Sequence, residues 1–407
     1  MLQQVAAKSK IKRKDKRRQS MSVEMKDSGI AWIGEIPKHW EVTMLKRLLQ
    51  INNGADYKAI ESDSGIPVIG SGGQFAWAKK YMYDGEVVLL GRKGTIDKPL
   101  YYKGKFWAVD TMFYSIPTDK TIGKFAYYIS NCLPFKVYST STALPSMTQT
   151  ILGNMNVVLP SKEEQSRIAN FLDKKCAEID ELIALQEQMI AQLNTYKQAV
   201  ITETVTKGLN PNVKMKDSGV EWIGEIPEHW DVCKIQYMAN LKSGYNLTTE
   251  QITDEGLYPV YGGNGIRGFY HEFFNDGEYV LIGRQGALCG NINYSTGKFW
   301  ATEHAVICYP KMQYATKWLG ELLRSMNLNQ YSLASAQPGL AVERIKALSI
   351  PLPPLSEQQS IAQYLDQKCK EIDELISIKK EKIEHLKAYK KSVIYEYVTG
   401  KKQVSDN

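Results

Sequence analysis

Polar side chains in glycine-rich loops are the residues of this chain whose types suit nucleic-acid chemistry. The loops GRKG at 91–94 and GRQG at 283–286 each place an arginine beside a second long polar side chain. Arginine, lysine and glutamine can reach guanine edges, adenine edges or phosphate oxygens. The candidate contacts in the first half of the chain are Ser71, Gln74, Arg92, Lys93, Thr95, Ser141, Ser146 and Gln149. Those in the second half are Tyr261, Asn264, Arg267, Arg284, Gln285, His304, Ser335 and Gln337.

The same loops have a plainer interpretation. Glycine allows tight turns whatever the function, and an arginine in a loop is often only a solvated surface charge. For any single residue both interpretations stay open. For the loops taken together, the contact role is favoured.

Motifs for catalysis are absent from the sequence. It has no GxxxxGK[ST] phosphate loop, no HExxH and no GxSxG. The NPN at 210–212 lacks the aromatic residue that an adenine methyltransferase motif would need. We therefore predict no catalytic residues, no metal site and no cofactor of its own.

The elements that must position these loops occur twice. MKDSGIAWIGEIPKHW, at 25–40, returns as MKDSGVEWIGEIPEHW at 215–230. LPSKEEQSRIANFLDKKCAEIDELI, from Leu159, returns from Leu352 as LPPLSEQQSIAQYLDQKCKEIDELI. A period near 190 residues is too long for a solenoid. It indicates two copies of a whole domain, each with a leading segment, a globular part and a long helix.

The globular parts read as short strands separated by glycine, proline and asparagine turns. Strands are predicted at VVLLG, FWAV and MFYSIP, and again at YVLIG, FWAT and AVICYP. Helical pieces are predicted at 122–131 and 315–326. The fold class is therefore α+β: two similar domains with mainly antiparallel sheets, separated by two long helices.

Capping boxes, in which a serine precedes Glu or Gln by three residues, mark the helix starts at Ser161–Glu164 and Ser356–Gln359. Apolar residues then recur at spacings of three, four and seven, which is typical of a coiled-coil seam. Each stripe is most simply buried by the other, as an antiparallel coiled coil with an internal pseudo-twofold repeat. The predicted seam residues are Ile168, Leu172, Ile179, Ile183, Ile361, Leu365, Ile372 and Ile376.

The domain boundaries follow from this repeat. A basic tail, 1–20, precedes globular domain 1 (21–158), long helix 1 (159–210), globular domain 2 (211–350) and long helix 2 (351–407). The tail has eight Lys or Arg and one Asp, so it alone accounts for the net charge of +7. A basic-protein argument therefore does not apply to the rest of the chain. We expect the tail to be of little consequence, although it could bind phosphate.

Composition is that of an ordinary globular protein, with 43% hydrophobic and 23% charged residues. Neither a secretory signal nor an apolar run of the ~20 residues that a membrane span needs is visible. Six cysteines without a CxxC pair suggest reduced thiols. We therefore expect a cytoplasmic location.

The repeated helix and the repeated SG..WIGEIP.HW segment, at 28–40 and 218–230, resemble those of the specificity (S) subunit of type I restriction-modification systems. The resemblance covers residues 21 to the C-terminus. It implies that each globular part is a target recognition domain for one half of a bipartite DNA sequence. It also implies that the helices dock two modification (methyltransferase) subunits, and that restriction subunits join the full complex. S-adenosylmethionine and ATP would then belong to those partners.

Two other function classes stay open from the residues alone. The twin domains could bind proteins, which would make the chain a scaffold or adaptor without DNA-binding activity. An undetected nuclease is the third alternative. Footprinting of the assembled complex separates the first of these from a DNA reader, and cleavage of plasmid DNA by the chain alone would indicate the second.

Overall fold

The computed structural model describes residues 24–139, 145–286, 288–332 and 339–404. The basic tail and three candidate contacts, Ser141, Ser335 and Gln337, lie outside these residues. The chain divides into two compact units, one of residues 1–185 with 382–407 and one of residues 186–381. Each unit therefore combines one globular domain with part of each long helix, whereas the predicted boundaries treat domains and helices as separate segments.

The first unit contains eleven strands in its described part. They are β1 Met25–Asp27, β2 Glu35–Pro37, β3 Glu41–Met44, β4 Leu49–Asn53, β5 Glu61–Ser62, β6 Ile66–Gly70, β7 Gly73–Ala78, β8 Tyr83–Gly91, β9 Leu100–Ala108, β10 Met112–Pro117 and β11 Asn156–Leu159. Seven form one sheet in the order β4-β10-β8-β9-β6-β7-β5. All of its neighbours are antiparallel except β6 and β9.

The second unit repeats this pattern. Its strands are β12 Met215–Asp217, β13 Glu225–Pro227, β14 Asp231–Lys234, β15 Ala239–Ser243, β16 Tyr258–Gly262, β17 Gly265–Tyr270, β18 Asn275–Asp276, β19 Tyr279–Gly283, β20 Ile292–Ser295, β21 Lys298–Ala301, β22 Ala305–Pro310 and β23 Ser349–Leu352. Here β20 and β21 are separate strands, and the sheet divides into β15-β22-β19-β20 and β17-β16-β21-β18. Among the described strands of this unit, one pair is parallel: β16 with β21, which corresponds to β6 with β9.

Short helices cover the sheets and two long helices follow them. The helices are α1 Gly123–Ser130, α2 Phe135–Tyr138, α3 Gln149–Gly153, α4 Lys162–Lys207, α5 Ile235–Met238, α6 Thr316–Ser325, α7 Val342–Ala347 and α8 Leu355–Val398. The predicted pieces at 122–131 and 315–326 are confirmed as α1 and α6. The predicted α+β class with mainly antiparallel sheets is confirmed as well.

Of the two predicted helix starts, one is confirmed and the other is wrong. Ser161 caps α4, because its hydroxyl accepts from the Glu164 N–H at 3.3 Å and the Glu164 carboxylate accepts from the Ser161 N–H at 3.2 Å. The capping box at Ser356–Gln359 is wrong. Helix α8 begins at Leu355, so Ser356 already lies in its first turn. Pro354 lies just before it, and its carbonyl accepts from the N–H groups of residues 357 and 358.

The helices pair antiparallel in each unit. In the first unit the Lys390 ammonium of α8 lies 2.6 Å from the Asp180 carboxylate of α4. In the second unit Lys197 of α4 lies 2.7 Å from Asp373 of α8. Residue numbers therefore rise along one helix as they fall along the other, and the predicted antiparallel coiled coil is confirmed.

The predicted seam residues divide into two groups. The first group belongs to the cores of the globular units: Ile168 and Leu172 in one, Ile361 and Leu365 in the other. In the second group Ile179, Ile372 and Ile376 are buried farther along the helices, and Ile183 is half-buried. Each long helix therefore starts as part of a domain core and continues as a coiled coil.

A buried glutamine fastens each long helix to its domain. The Gln165 amide oxygen accepts from the Ile122 N–H at 2.9 Å and from the Thr121 hydroxyl at 3.1 Å, and its NH2 donates to the carbonyls of Lys120 and Pro160. In the second unit Gln358 accepts from the Ala315 N–H and donates to the Pro353 carbonyl. We call these two residues the glutamine clamps.

The repeated segments at 25–40 and 215–230 contact the N-terminal ends of α4 and α8. His39 Nε2 lies 2.8 Å from Glu164 Oε1, and the Trp40 indole N–H donates to the same carboxylate. His229 and Trp230 hold Glu357 in the same way. These contacts explain why the histidine and tryptophan recur with the helix. Within the described residues, no helix is long and apolar enough to cross a membrane.

Candidate nucleic-acid interface

In the first domain, three loops meet at one edge of the sheet. Strands β6 and β9 run parallel and end side by side, with Ile69 opposite Ala108. The Val109 N–H donates to the Ile69 carbonyl at 3.2 Å, and the Arg92 N–H donates to the Thr111 carbonyl at 2.8 Å. The hairpin turn at 71–72, the loop at 92–95 and the loop at 109–111 therefore lie together.

Arg92 is both anchored and half-buried at this edge. Its guanidinium donates to the Asp110 carbonyl at 3.2 Å and lies 6.0 Å from the Phe113 ring. These contacts fix the direction of the side chain, which remains partly exposed to solvent.

The segment that contains Ser146 closes over the same loop. Lys93 and Ser146 form an antiparallel bridge, and the Met147 N–H donates to the Arg92 carbonyl at 2.9 Å. Lys93 and Thr95 are exposed and Ser146 is half-buried. Ser146, some fifty residues farther along the chain, is therefore brought next to Arg92 and Lys93.

The remaining candidates of the first domain differ in their surroundings. Ser71 and Gln74 belong to the β6–β7 hairpin, where Gln74 is exposed and Ser71 half-buried. The Gln149 side-chain NH2 instead donates to the Ile51 carbonyl of β4 at 2.7 Å. That bond ties α3 to the sheet, so we leave Gln149 out of the contact set proposed below.

The second domain assembles the same edge from the equivalent loops. The Arg284 N–H donates to the His304 carbonyl at 2.8 Å, and the Leu340 N–H donates to the Arg284 carbonyl at 2.9 Å. Gln285 bridges Gly339 as Lys93 bridges Ser146. A Cβ at Gly263, in the β16–β17 turn, would lie 3.3 Å from the Gln285 carbonyl oxygen. Glycine at that position therefore lets the hairpin approach the loop.

Individual side chains at this second edge have distinct partners. The Arg284 guanidinium donates to the Ser243 hydroxyl at 3.2 Å, and His304 Nε2 lies 3.1 Å from Glu303 Oε1. Asn264 accepts a hydrogen bond from the side-chain amide of Asn291. Gln285, Asn264 and Arg267 are exposed.

Tyr261 has a structural position. It is buried, and its ring packs edge-on against Phe299 with the ring centroids 5.5 Å apart. Burial raises the pKa of its hydroxyl above the ordinary value. The glycine-rich sequence around it suggested a surface loop, but it lies within β16 between two other buried positions, Val260 and Gly262. We leave Tyr261 out of the proposed contact set.

Sequence reasoning missed two exposed apolar residues on the same hairpins. Phe75 is 58% exposed on β7, and Ile266 is 56% exposed on β17. The signal was present, since each is a large apolar residue just after a glycine turn. Within the described residues, no group of three or more His, Cys, Asp and Glu side chains is placed to hold a metal ion.

Comparison with known proteins identifies the repeated unit. The family model for the type I restriction modification DNA specificity domain matches residues 37–195 and again residues 227–388. The chain is 44% identical over 130 residues to the type I restriction enzyme EcoprrI specificity subunit of Escherichia coli, an alignment that covers 31% of this chain and 32% of that one. It is 26% identical over 439 aligned positions to the putative type I restriction enzyme MjaX specificity subunit of Methanocaldococcus jannaschii, covering 91% and 96% of the two chains.

A solved structure shows the same fold. That structure is titled "Structural basis underlying complex assembly and conformational transition of the type I R-M system". One of its chains aligns with this chain with a TM-score of 0.68 at 16% sequence identity. The alignment covers 89% of this chain and 98% of that chain. With two matched domains that span more than half of its length, the chain belongs to the type I restriction-modification DNA specificity family and is a non-catalytic specificity subunit.

Proposed function

We propose that this subunit reads a bipartite DNA target, with one half-site per recognition domain. The observation that carries the proposal is the repeated loop edge. In each domain, polar residues from distant segments converge on one sheet edge through the same backbone bonds: Arg92 to Thr111, and Arg284 to His304. The scaffold is shared and the exposed side chains differ. Such an arrangement suits two readers of different sequences.

The proposed contacts in domain 1 are Ser71, Gln74, Arg92, Lys93, Thr95 and Ser146, and those in domain 2 are Asn264, Arg267, Arg284, Gln285 and His304. Ser141, Ser335 and Gln337 stay predictions from the sequence. Arginine, glutamine and asparagine at such an edge can pair with base edges in the major groove, and lysine with phosphates.

The partners follow from the family and from the outer faces of the helices. Two modification subunits would bind along α4 and α8, and restriction subunits would join the full complex. The exposed acids Glu178, Glu181, Glu371 and Glu374 are suited to meet protein, because they would repel DNA phosphates. We place the complex in the cytoplasm, since its DNA target would be reached there.

The long helices would set the number of unread base pairs between the half-sites. The test is an insertion of seven residues into both helices, after Gln186 in α4 and after Lys379 in α8. Seven residues keep the seam facing its partner, and each insertion adds about 10.5 Å at 1.5 Å per residue. That length corresponds to about three base pairs of DNA at ~3.4 Å each.

The readout is the methylated motif of a host that also carries the cognate modification subunit. We expect a longer spacer with both half-sites unchanged. A matched control inserts seven residues after Ser64, in an exposed turn of domain 1, and should leave the spacer as it was. An unchanged spacer in the helix variant would contradict the proposal that the long helices set the distance between the half-sites. Absence of any DNA protection by the assembled wild-type complex would favour the scaffold alternative.

A further inference from the structure

The turn of the β6–β7 hairpin has an unusual side chain folded across it. Gly70 pairs with Gly73, and the ladder shifts by one residue just before, between Val68 and Ile69. A Cβ at Gly70 would lie 3.1 Å from the Phe75 ring. A side chain at this position would press against the ring, so glycine eases the close approach of the phenyl ring to this strand end.

The β16–β17 hairpin repeats the geometry with a different side chain. Gly262 pairs with Gly265, again with a shift one residue before, between Val260 and Tyr261. A Cβ at Gly262 would lie 2.4 Å from Cδ of Arg267. Phe75 and Arg267 are therefore the same position of the fold, each two residues after the second glycine of its turn.

Both side chains are presented to solvent at the loop edge. Phe75 is 58% exposed, and its ring has an edge contact to the Tyr57 ring at a centroid distance of 5.4 Å. Arg267 is exposed. In the part of the chain that the structure describes, no side chain forms a hydrogen bond or ion pair with its guanidinium. By contrast Arg284 at the same edge is anchored on Ser243.

A free guanidinium beside a DNA-reading loop can donate two parallel hydrogen bonds to guanine O6 and N7, and an exposed phenyl ring can contact a thymine methyl group. We propose that this hairpin position reads one base pair in each half-site, with Arg267 selecting a guanine and Phe75 contacting a thymine. The inference rests on the proposed function, and it adds which side chains discriminate between bases.

The experiment exchanges the two side chains. Arg267→Phe places a phenyl ring against Gly262, as Phe75 lies against Gly70. Phe75→Arg places an arginine against Gly70, as Arg267 lies against Gly262. Each variant is expressed with the cognate modification subunit, and its methylated motif is read by sequencing. Purified complexes are then titrated with duplexes that carry the wild-type motif and with duplexes changed at one base pair.

For Arg267→Phe we expect one guanine of the domain 2 half-site to lose its preference by roughly ten- to hundredfold, while the other half-site stays unchanged. For Phe75→Arg we expect a new guanine preference in the domain 1 half-site only. Arg267→Lys keeps the charge but cannot form the two parallel hydrogen bonds, so it should also weaken the preference for that guanine. Lysine resembles arginine in length and charge, so this variant should fold and tests the proposal even if Arg267→Phe folds poorly.

Three results would overturn the inference. An unchanged motif in Arg267→Phe and Arg267→Lys would exclude base reading at this position. Uniform weakening on all duplexes would make Arg267 a phosphate contact. A wild-type complex that methylates no interrupted motif would overturn the proposed function and this inference with it. The control Arg344→Gln, at an exposed arginine of α7, removes the same charge and should keep the motif.

Discussion

The ammonium of Lys379 donates a hydrogen bond to the side-chain amide oxygen of Gln186 at 3.4 Å, and the two residues are 193 positions apart. That separation equals the offset between the two copies of the long helix, so one repeat position faces its own copy. Gln186 is buried and Lys379 half-buried. A hydrogen bond this long contributes little to the stability of the helix pair, especially where one of its polar groups is buried.

Replacing both members of this pair by leucine should therefore stabilise the chain. In the Gln186→Leu, Lys379→Leu variant, apolar burial replaces a desolvated polar pair, and we expect the free energy of unfolding to rise by about 1–2 kcal/mol. Urea denaturation followed by circular dichroism measures it. Glu187→Leu, at the exposed neighbouring position, should change stability by less than about 0.5 kcal/mol. A loss of stability in the double variant would mean that the polar pair stabilises the coil.

The glutamine clamp predicts a large local cost. Gln165→Leu removes all four hydrogen bonds of the buried amide and leaves the Ile122 N–H without its acceptor. We expect a loss of about 2–3 kcal/mol in denaturation of the purified chain. Gln188→Leu, exposed on the same helix, is the matched control. Equal stability of the two variants would show that the clamp contributes nothing.

Acid should loosen the start of α4 through Glu164. Burial raises the pKa of this carboxyl, but hydrogen bonds from His39, Trp40 and the Ser161 N–H outweigh it, and the pKa is lowered from its ordinary 4.5. A carboxyl with a lowered pKa in the folded chain contributes stability above its ordinary pKa, and this contribution is lost as the pH falls through the lowered value.

The urea midpoint of the wild type should therefore fall below pH 4.5 more steeply than that of Glu164→Gln, which has no such carboxylate to protonate. Glu163→Gln, at the exposed position just before, should follow the wild-type curve. If the urea midpoints of all three proteins fell equally with pH, protonation of Glu164 would not contribute to the loss of stability in acid.

Lys93 should act on DNA through charge alone. It is exposed and its backbone bridges Ser146 at the loop edge, a position suited to a phosphate. In Lys93→Ala, we expect weaker binding of the assembled complex on every duplex, with the slope of log affinity against log salt reduced by about 1. The motif should not change. Lys103→Ala, exposed farther along β9, is the control, and a changed half-site in the Lys93 variant would make it a base contact instead.

Periodicity and turn chemistry predicted the repeated architecture, because a strand in a buried sheet and a seam on a long helix both leave regular apolar patterns. The start of α8 was missed for a local reason. Ser356 and Gln359 have the spacing of a capping box, but Pro354 occupies the position that Ser161 has in the first copy. A proline there fixes the backbone angle φ and begins the helix two residues earlier.

The candidate contacts were predicted less evenly. Arg92 and Arg284 lie at the expected loop edge, since glycine on both sides marks a turn. Tyr261 did not fit, because a glycine pair after a strand does not show where burial ends. Phe75 was missed since an apolar residue is ordinarily taken for core. The glutamine clamps could not be recognised either, because the sequence does not show that a polar helix residue points inward.

The clamps also bear on how such chains change over time. Most bonds of Gln165 and Gln358 reach main-chain atoms: the carbonyls of Lys120, Pro160 and Pro353, and the N–H groups of Ile122 and Ala315. Main-chain atoms are present whatever side chains the domain has. A recognition domain of quite different sequence could therefore be exchanged at this joint by recombination, and the chain would acquire a new DNA target without redesign of its helices.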